Sequence, residues 1–193
     1  MINESYPLPI YHHVTFVDWH GVLSQRLFWS SLSRTQRNSL GLDAMLNDFF
    51  EVSTAKRWML GQCSTLDLLN KHVDEPTSRD LFQVVIQETR RARLNATLMR
   101  RLEYLRRASF IVIATDNMDC FSEALRLRRG SIGTFDDVLI SSEIGALKRD
   151  PEAFFGPWLH AMNMRFDQAT LIDDDEQNIE AFRNMGGDGW LYR

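Results

Sequence analysis

Cysteine is scarce in this sequence, at two in 193 residues. Cys63 and Cys120 stand far apart and cannot form a metal cluster by themselves, so a reduced, cytoplasmic setting is expected. Long apolar runs are missing too. The longest, such as Phe110–Ala114, hold five residues, where about 20 are needed to cross a bilayer. Met1–Ile10 carries Glu4 and two prolines but neither the basic stretch nor the apolar core of an export signal, which again leads us to expect a cytoplasmic protein. There is no internal repeat, low-complexity tract or Gly/Ser linker. Lysine is rare as well: Lys56, Lys71 and Lys148 are three of 22 basic residues, and the others are arginine. What remains is 44% hydrophobic with a net charge of −4, too apolar and too weakly charged for disorder. The length suits one domain with an insertion, or two small domains, and allows a sizeable core.

Two textures alternate along the chain. Val14–Val17, Phe110–Ala114, Val138–Ile140 and Thr170–Ile172 are short runs rich in β-branched and apolar residues. Such runs without polar alternation indicate strands buried on both faces, as in a parallel sheet. Gly189–Tyr192 offers one more short strand. Helical patterns over Cys120–Arg129, Pro151–Asn163 and Glu176–Met185 lie between the later runs, with Pro151 in a first turn and Asp150 as its cap. The expected fold is therefore α/β, a doubly wound, Rossmann-like parallel sheet.

Residues 24–94 break the rhythm. They show helical stretches at Phe28–Ser33, Leu42–Phe50, Thr65–His72 and Ser78–Arg90 and no convincing strand. We expect a core of residues 1–23 and 95–193 with a helical insertion, 24–94, between the first strand and the rest of the sheet. Leu94, Leu98, Leu102 and Leu105 then form one apolar helix face. The neighbouring arginines (Arg90, Arg91, Arg93, Arg100, Arg101, Arg106 and Arg107) suit a solvated face better than a nucleic-acid surface, because the chain as a whole is acidic.

Chemistry-bearing residues fall at the carboxyl ends of the strand runs, where open parallel sheets bind ligands. Val14–Val17 leads into Asp18-Trp19-His20-Gly21, Phe110–Ala114 into Thr115-Asp116-Asn117, Val138–Ile140 into a loop that reaches Lys148, and Thr170–Ile172 into Asp173-Asp174-Asp175. These four segments, in this order, resemble the motifs of the haloacid-dehalogenase-like (HAD) hydrolases. In the resemblance Asp18 stands at the nucleophile position, Thr115 at the second motif's hydroxyl and Lys148 at the third motif's lysine. Asp173-Asp174, followed by Asn178, stands at the metal-binding acidic pair. The insertion 24–94 is similar to the family's small helical cap.

The resemblance implies a Mg²⁺-dependent phosphatase working through an aspartyl-phosphate on Asp18. A hard divalent cation wants oxygen ligands and would offset the mutual repulsion of the anions. Asp18, Asp173, Asp174 and the main-chain carbonyl of His20 are its expected ligands, with Asp174 preferred as a direct one. Thr115 and the Asp116 N–H are expected to hold phosphate oxygens, and Lys148 to neutralise nucleophile and phosphate as a compact point charge.

His20 departs from the family pattern, which has aspartate there as general acid and base. A histidine titrates near neutrality, at an unperturbed pKa of about 6.5, and is a competent proton shuttle, so His20 is expected to take that role. The alternatives are slowed hydrolysis or a non-catalytic phosphate- or partner-binding module. Carbon–halogen hydrolysis requires no metal and is disfavoured by the acidic pair. A phosphotransferase, or a phosphatase of polynucleotide ends, remains a further alternative. The expected partner is a small phosphorylated metabolite, selected by the cap, rather than a membrane or nucleic acid. Trp29, Phe49, Phe50, Trp58 and Met59 are the candidates to line the substrate pocket, with plain packing of the insertion as the competing role. His12, His13, His72 and His160 are expected to be structural. The sequence is silent on oligomeric state.

Overall fold

The computed structural model describes residues 13–25, 28–128 and 133–193. His12, the segment Met1–Ile10 and the end of the expected helix at Arg129 lie outside them. Among these residues five strands, β1 (Val14–Val17), β2 (Phe110–Thr115), β3 (Asp137–Ile140), β4 (Ala169–Asp173) and β5 (Asp188–Leu191), form one sheet in the order β3-β2-β1-β4-β5. Every pairing is parallel. β1 sits in the middle, with Val17 opposite Ile113 on one side and Ile172 on the other. The ends of β1, β2 and β4 thus finish side by side.

Alternate strand residues feed two apolar layers. Val17, Ile111, Ile113 and Ile172 face Leu98, Leu102 and Leu105 of α6 (Ala96–Leu105) and Phe121 and Leu125 of α7 (Asp119–Arg128). Val14, Phe16, Val112, Ala114 and Leu171 face Phe154, Phe155 and Leu159 of α9 (Pro151–Ala161) and Ile179 and Phe182 of α10 (Glu176–Asn184). Helices on both faces bury the central strands β1 and β4, and all of β2 after Phe110, on both sides, hence the unbroken apolar runs. Asp150 caps α9 through Ala153 N–H, with Pro151 in the first turn, where a missing N–H costs nothing.

Among the described residues, five helices lie between β1 and α6: α1 (Arg34–Ser39), α2 (Leu42–Phe49), α3 (Val52–Met59), α4 (Thr65–Leu69) and α5 (Glu75–Arg90). Helices α2 to α5 pack around a third cluster built on Trp29, Phe49, Trp58, Leu69, Leu81 and Val85. Met118 and Cys120, at the start of α7, belong to this same cluster. The expected helix over Phe28–Ser33 is a correction: residues 28–31 form turns, and the helix starts at Arg34. Trp29 takes a left-handed φ of 56°, incompatible with a continuing helix, and its indole N–H donates to the Leu81 carbonyl at 2.9 Å. A short helix, α8 (Ser141–Ile144), follows β3 directly.

Candidate active site

The main chain carries Asp18 just past β1, where its N–H continues the ladder by donating to the Ile172 carbonyl at 2.9 Å. The chain then folds back sharply: Ser24 N–H donates to the Trp19 carbonyl at 2.8 Å and Gly21 N–H to the Ser24 carbonyl at 2.9 Å. Gly21 takes φ +85°, a conformation that glycine adopts without strain.

Lys148 is the hub of the polar cluster. Its ammonium is buried and lies 2.8 Å from Asp18 Oδ1 and 2.6 Å from Asp173 Oδ2. Its main-chain N–H donates to Asp116 Oδ1 at 3.0 Å. Asp173, wholly buried, also accepts from Asp175 N–H at 2.9 Å and from Asn178 Nδ2 at 3.2 and 3.3 Å. Its oxygens are therefore well occupied. Asp174 is exposed. One carboxylate oxygen each from Asp18, Asp173 and Asp174 lies within 4.8 Å of the others.

Three carboxylates against one ammonium leave surplus negative charge in a largely desolvated place. Burial pushes the Asp18 carboxyl up to about 7; Lys148 opposes this and the Asp173 charge adds to it. Asp174 is raised by desolvation and then by Asp173. Asp116 is raised by burial against the pull of Lys148. Lys148 is held above the usual lysine range because the charges of Asp18, Asp173 and Asp116 outweigh its desolvation. A hard cation among these oxygens would relieve the repulsion, and an all-carboxylate donor set suits Mg²⁺.

Thr115, at the end of β2, is buried, and its hydroxyl accepts from Asn117 Nδ2 at 3.2 Å. Asn117 N–H in turn donates to Ser141 Oγ at 2.9 Å, and Ser141 Oγ donates back to the Asn117 carbonyl at 3.1 Å. His20 is exposed and borders a cavity of about 310 Å³ together with Trp19, Phe28, Phe50, Met59 and Asp116.

The sequence-predicted residues thus separate. Asp18, Asp173 and Lys148 are in direct contact, Asp174 stands beside them, and Asp116 joins through the Lys148 main chain. Thr115 is engaged by Asn117, and His20 lies at the cavity edge. Among the pocket candidates, Phe50 and Met59 line the cavity, whereas Trp29, Phe49 and Trp58 are buried in the helical cluster. Trp19, Phe28, Asn117, Met118 and Glu88 also line it and were not foreseen. For Glu88 a signal existed: it follows the buried Leu81 and Val85 at helical spacing on the apolar stripe of α5.

No protein-family model matches this sequence, and no curated relative matches it. Solved structures do. A HAD family enzyme from Bacteroides thetaiotaomicron in its magnesium complex superposes with a TM-score of 0.68 at 14% identity, over 93% of this chain and 92% of that one. A predicted HAD-like family hydrolase from Porphyromonas gingivalis gives 0.63 at 16% identity, over 93% and 90%. The L-2-haloacid dehalogenase from Xanthobacter autotrophicus gives 0.61 at 13%, over 92% and 76%. The chain has the HAD-like hydrolase fold.

Proposed function

We propose that this chain is a Mg²⁺-dependent phosphomonoesterase acting on a small organic phosphate, with residues 24–94 as a cap over a core of 1–23 and 95–193. The observation that carries it is the Lys148 ammonium lying between Asp18 and Asp173, with the exposed carboxylate of Asp174 beside them. A similar fold is known with magnesium and inorganic phosphate bound, in the Bacteroides enzyme, and the grouping of Asp18, Asp173 and Asp174 favours metal-assisted phosphoryl chemistry over dehalogenation.

Asp18 and Asp174 would hold the cation, with the His20 carbonyl, and Asp173 directly or through water. When bound, Mg²⁺ supplies charge neutralisation between nucleophile and phosphate. Asp18 attacks phosphorus, and the ester P–O bond breaks as the leaving oxygen takes a proton from the His20 imidazolium. The neutral imidazole then takes a proton from water, whose oxygen attacks phosphorus, releasing inorganic phosphate and restoring Asp18. Lys148 fixes Asp18 and balances its charge, while Thr115 and the Asp116 N–H hold phosphate oxygens.

A screen of phosphate release from sugar phosphates, nucleotides and aryl phosphates, with and without Mg²⁺, tests this. Turnover that requires Mg²⁺ and is abolished in Asp18→Asn supports it. Turnover surviving Asp18→Asn would remove the nucleophile assignment, and EDTA-insensitive halide release from haloacids would favour the dehalogenase reading instead.

A further inference from the structure

The cavity of about 310 Å³ that meets the candidate site at His20 and Asp116 is apolar over most of its wall. Trp19, Phe28, Phe50, Met59 and Met118 supply rings and thioethers. The rings are held by edge-on neighbours: Trp19 by Phe121, and Phe28 by Trp29 and Trp58, at centroid separations of 5.1, 6.1 and 6.4 Å. Polar side chains on the wall are engaged with the protein itself. Asn117 donates from Nδ2 to the Thr115 hydroxyl and accepts at Oδ1 from Met118 N–H. Asp116 Oδ1 accepts from Lys148 N–H. Glu88 accepts at Oε1 from Ser31 N–H, and its Oε2 is buried out of reach of the cavity. Hydroxyl groups entering this space would exchange water for rings and thioethers, leaving hydrogen bonds unmade. An apolar group gains instead, by leaving water and by touching aromatic faces and sulfurs. The volume lies at the lower end of small-molecule pockets, which run from about 300 to 1,000 Å³, so the group it takes is a small one.

We propose that the phosphomonoester processed at the strand-end site carries a compact apolar organic group, a single hydrocarbon ring or a short branched chain without hydroxyls, and that this cavity receives it. This rests on the phosphatase reading of the neighbouring site, which puts the phosphate end at Lys148, Thr115 and the Asp116 N–H. Selection works by exclusion as well as attraction: a sugar phosphate of equal size finds the same anchor for its phosphate, but rings and thioethers where its hydroxyls must go.

The test compares cyclohexylmethyl phosphate with glucose 6-phosphate, in the full chain with Mg²⁺, for wild type and Met59→Gln. Both esters carry a six-membered ring on a primary carbon, so they differ chiefly in their hydroxyls. Glutamine keeps the length of methionine and puts a donor and an acceptor on the wall. Thermal melting verifies that the variant folds; Phe50→Gln, at an exposed position on the same wall, replaces it otherwise. The wild type is expected to favour the cyclohexylmethyl ester by roughly a hundredfold or more in kcat/KM, mainly through KM, and the variant to narrow that ratio by roughly tenfold. A wild-type ratio under about tenfold, or a ratio that the substitution leaves unchanged, overturns the proposal. Should neither ester be hydrolysed, the phosphatase reading fails separately. Calorimetry with the two matching phosphonates then decides the recognition: tighter binding of the cyclohexylmethyl compound supports it, and equal binding or none overturns it.

Discussion

Gly21 and Asp174 touch so closely that a Cβ placed on Gly21 would lie 2.0 Å from Asp174 Oδ2. The contact joins the loop after β1 to the loop after β4, and it makes glycine necessary for two reasons, the positive φ and the missing side chain. Gly21→Ala should cost about 1–2 kcal/mol from backbone strain alone. It should also displace the Asp174 carboxylate, weakening Mg²⁺ binding by roughly tenfold or more. Calorimetric Mg²⁺ titration checks this; unchanged affinity would mean that Asp174 is not a ligand.

Lys148 is the only counter-charge in direct contact with Asp18 and Asp173 among the described residues. Lys148→Met leaves two buried carboxylates uncompensated, and such losses typically destabilise by about 3–5 kcal/mol. Urea unfolding should show that loss at neutral pH and a smaller one in mild acid, where the Asp18 carboxyl takes up a proton. Phosphatase turnover should fall by at least about a hundredfold.

Asp18 supplies a pH signature. Its folded-state carboxyl titrates at about 7, against an ordinary 3.8. A carboxyl raised in this way adds stability at pH below 3.8, and that contribution disappears as pH rises through about 7. Without divalent cation, the melting temperature should therefore drop between about pH 4 and pH 7 more steeply in wild type than in Asp18→Asn. Added Mg²⁺ should raise it more at the higher pH. Parallel slopes in the two proteins would contradict the burial-driven shift.

His20 is tested by its variants. If the imidazole moves the protons, His20→Ala should lower kcat by about a hundredfold or more and flatten the pH–rate profile, while His20→Asp recovers part of the rate with its optimum displaced. Full turnover with an unaltered profile in His20→Ala would assign the proton transfer elsewhere.

Asp119 holds the helical segment to the core. Its carboxylate accepts from Thr65 N–H at 2.9 and 3.1 Å, from the Thr65 hydroxyl, and from the Trp58 indole N–H at 3.3 Å. Asp119→Ala leaves those donors without it and should destabilise by about 1–3 kcal/mol. A raised KM at similar kcat would mark a loosened cap, whereas unchanged unfolding would show that the contact is dispensable.

The sheet was legible because burial on both faces writes itself as unbroken apolar runs. Val14–Val17 was delimited to the residue, and the remaining strands shifted by one or two positions. The insertion was harder. α1 buries no residue, so it has no apolar stripe to read. Its signal is the reciprocal cap between Ser33 and Gln36. α3 was missed because only Ala55 and Trp58 are buried along it. Phe28–Ser33 misled because its apolar residues anchor a turn rather than a helix. At the candidate site, residues at strand ends were visible from their own surroundings. Asp119 was not, since its partner Thr65 is 54 residues away in sequence, and Glu88 was overlooked as one polar position in an amphipathic pattern.

Asp119 also sits four residues after Thr115, at the start of α7, with Met118 and Cys120 on either side contributing to the helical cluster. One stretch of six residues therefore serves two masters: its first half meets the candidate phosphate site, its second half moors the helices proposed as the cap. A change of substrate preference reached by repositioning those helices would pull on the reaction centre itself. Exchanging side chains on the cavity wall would therefore disturb the reaction centre less than moving the wall.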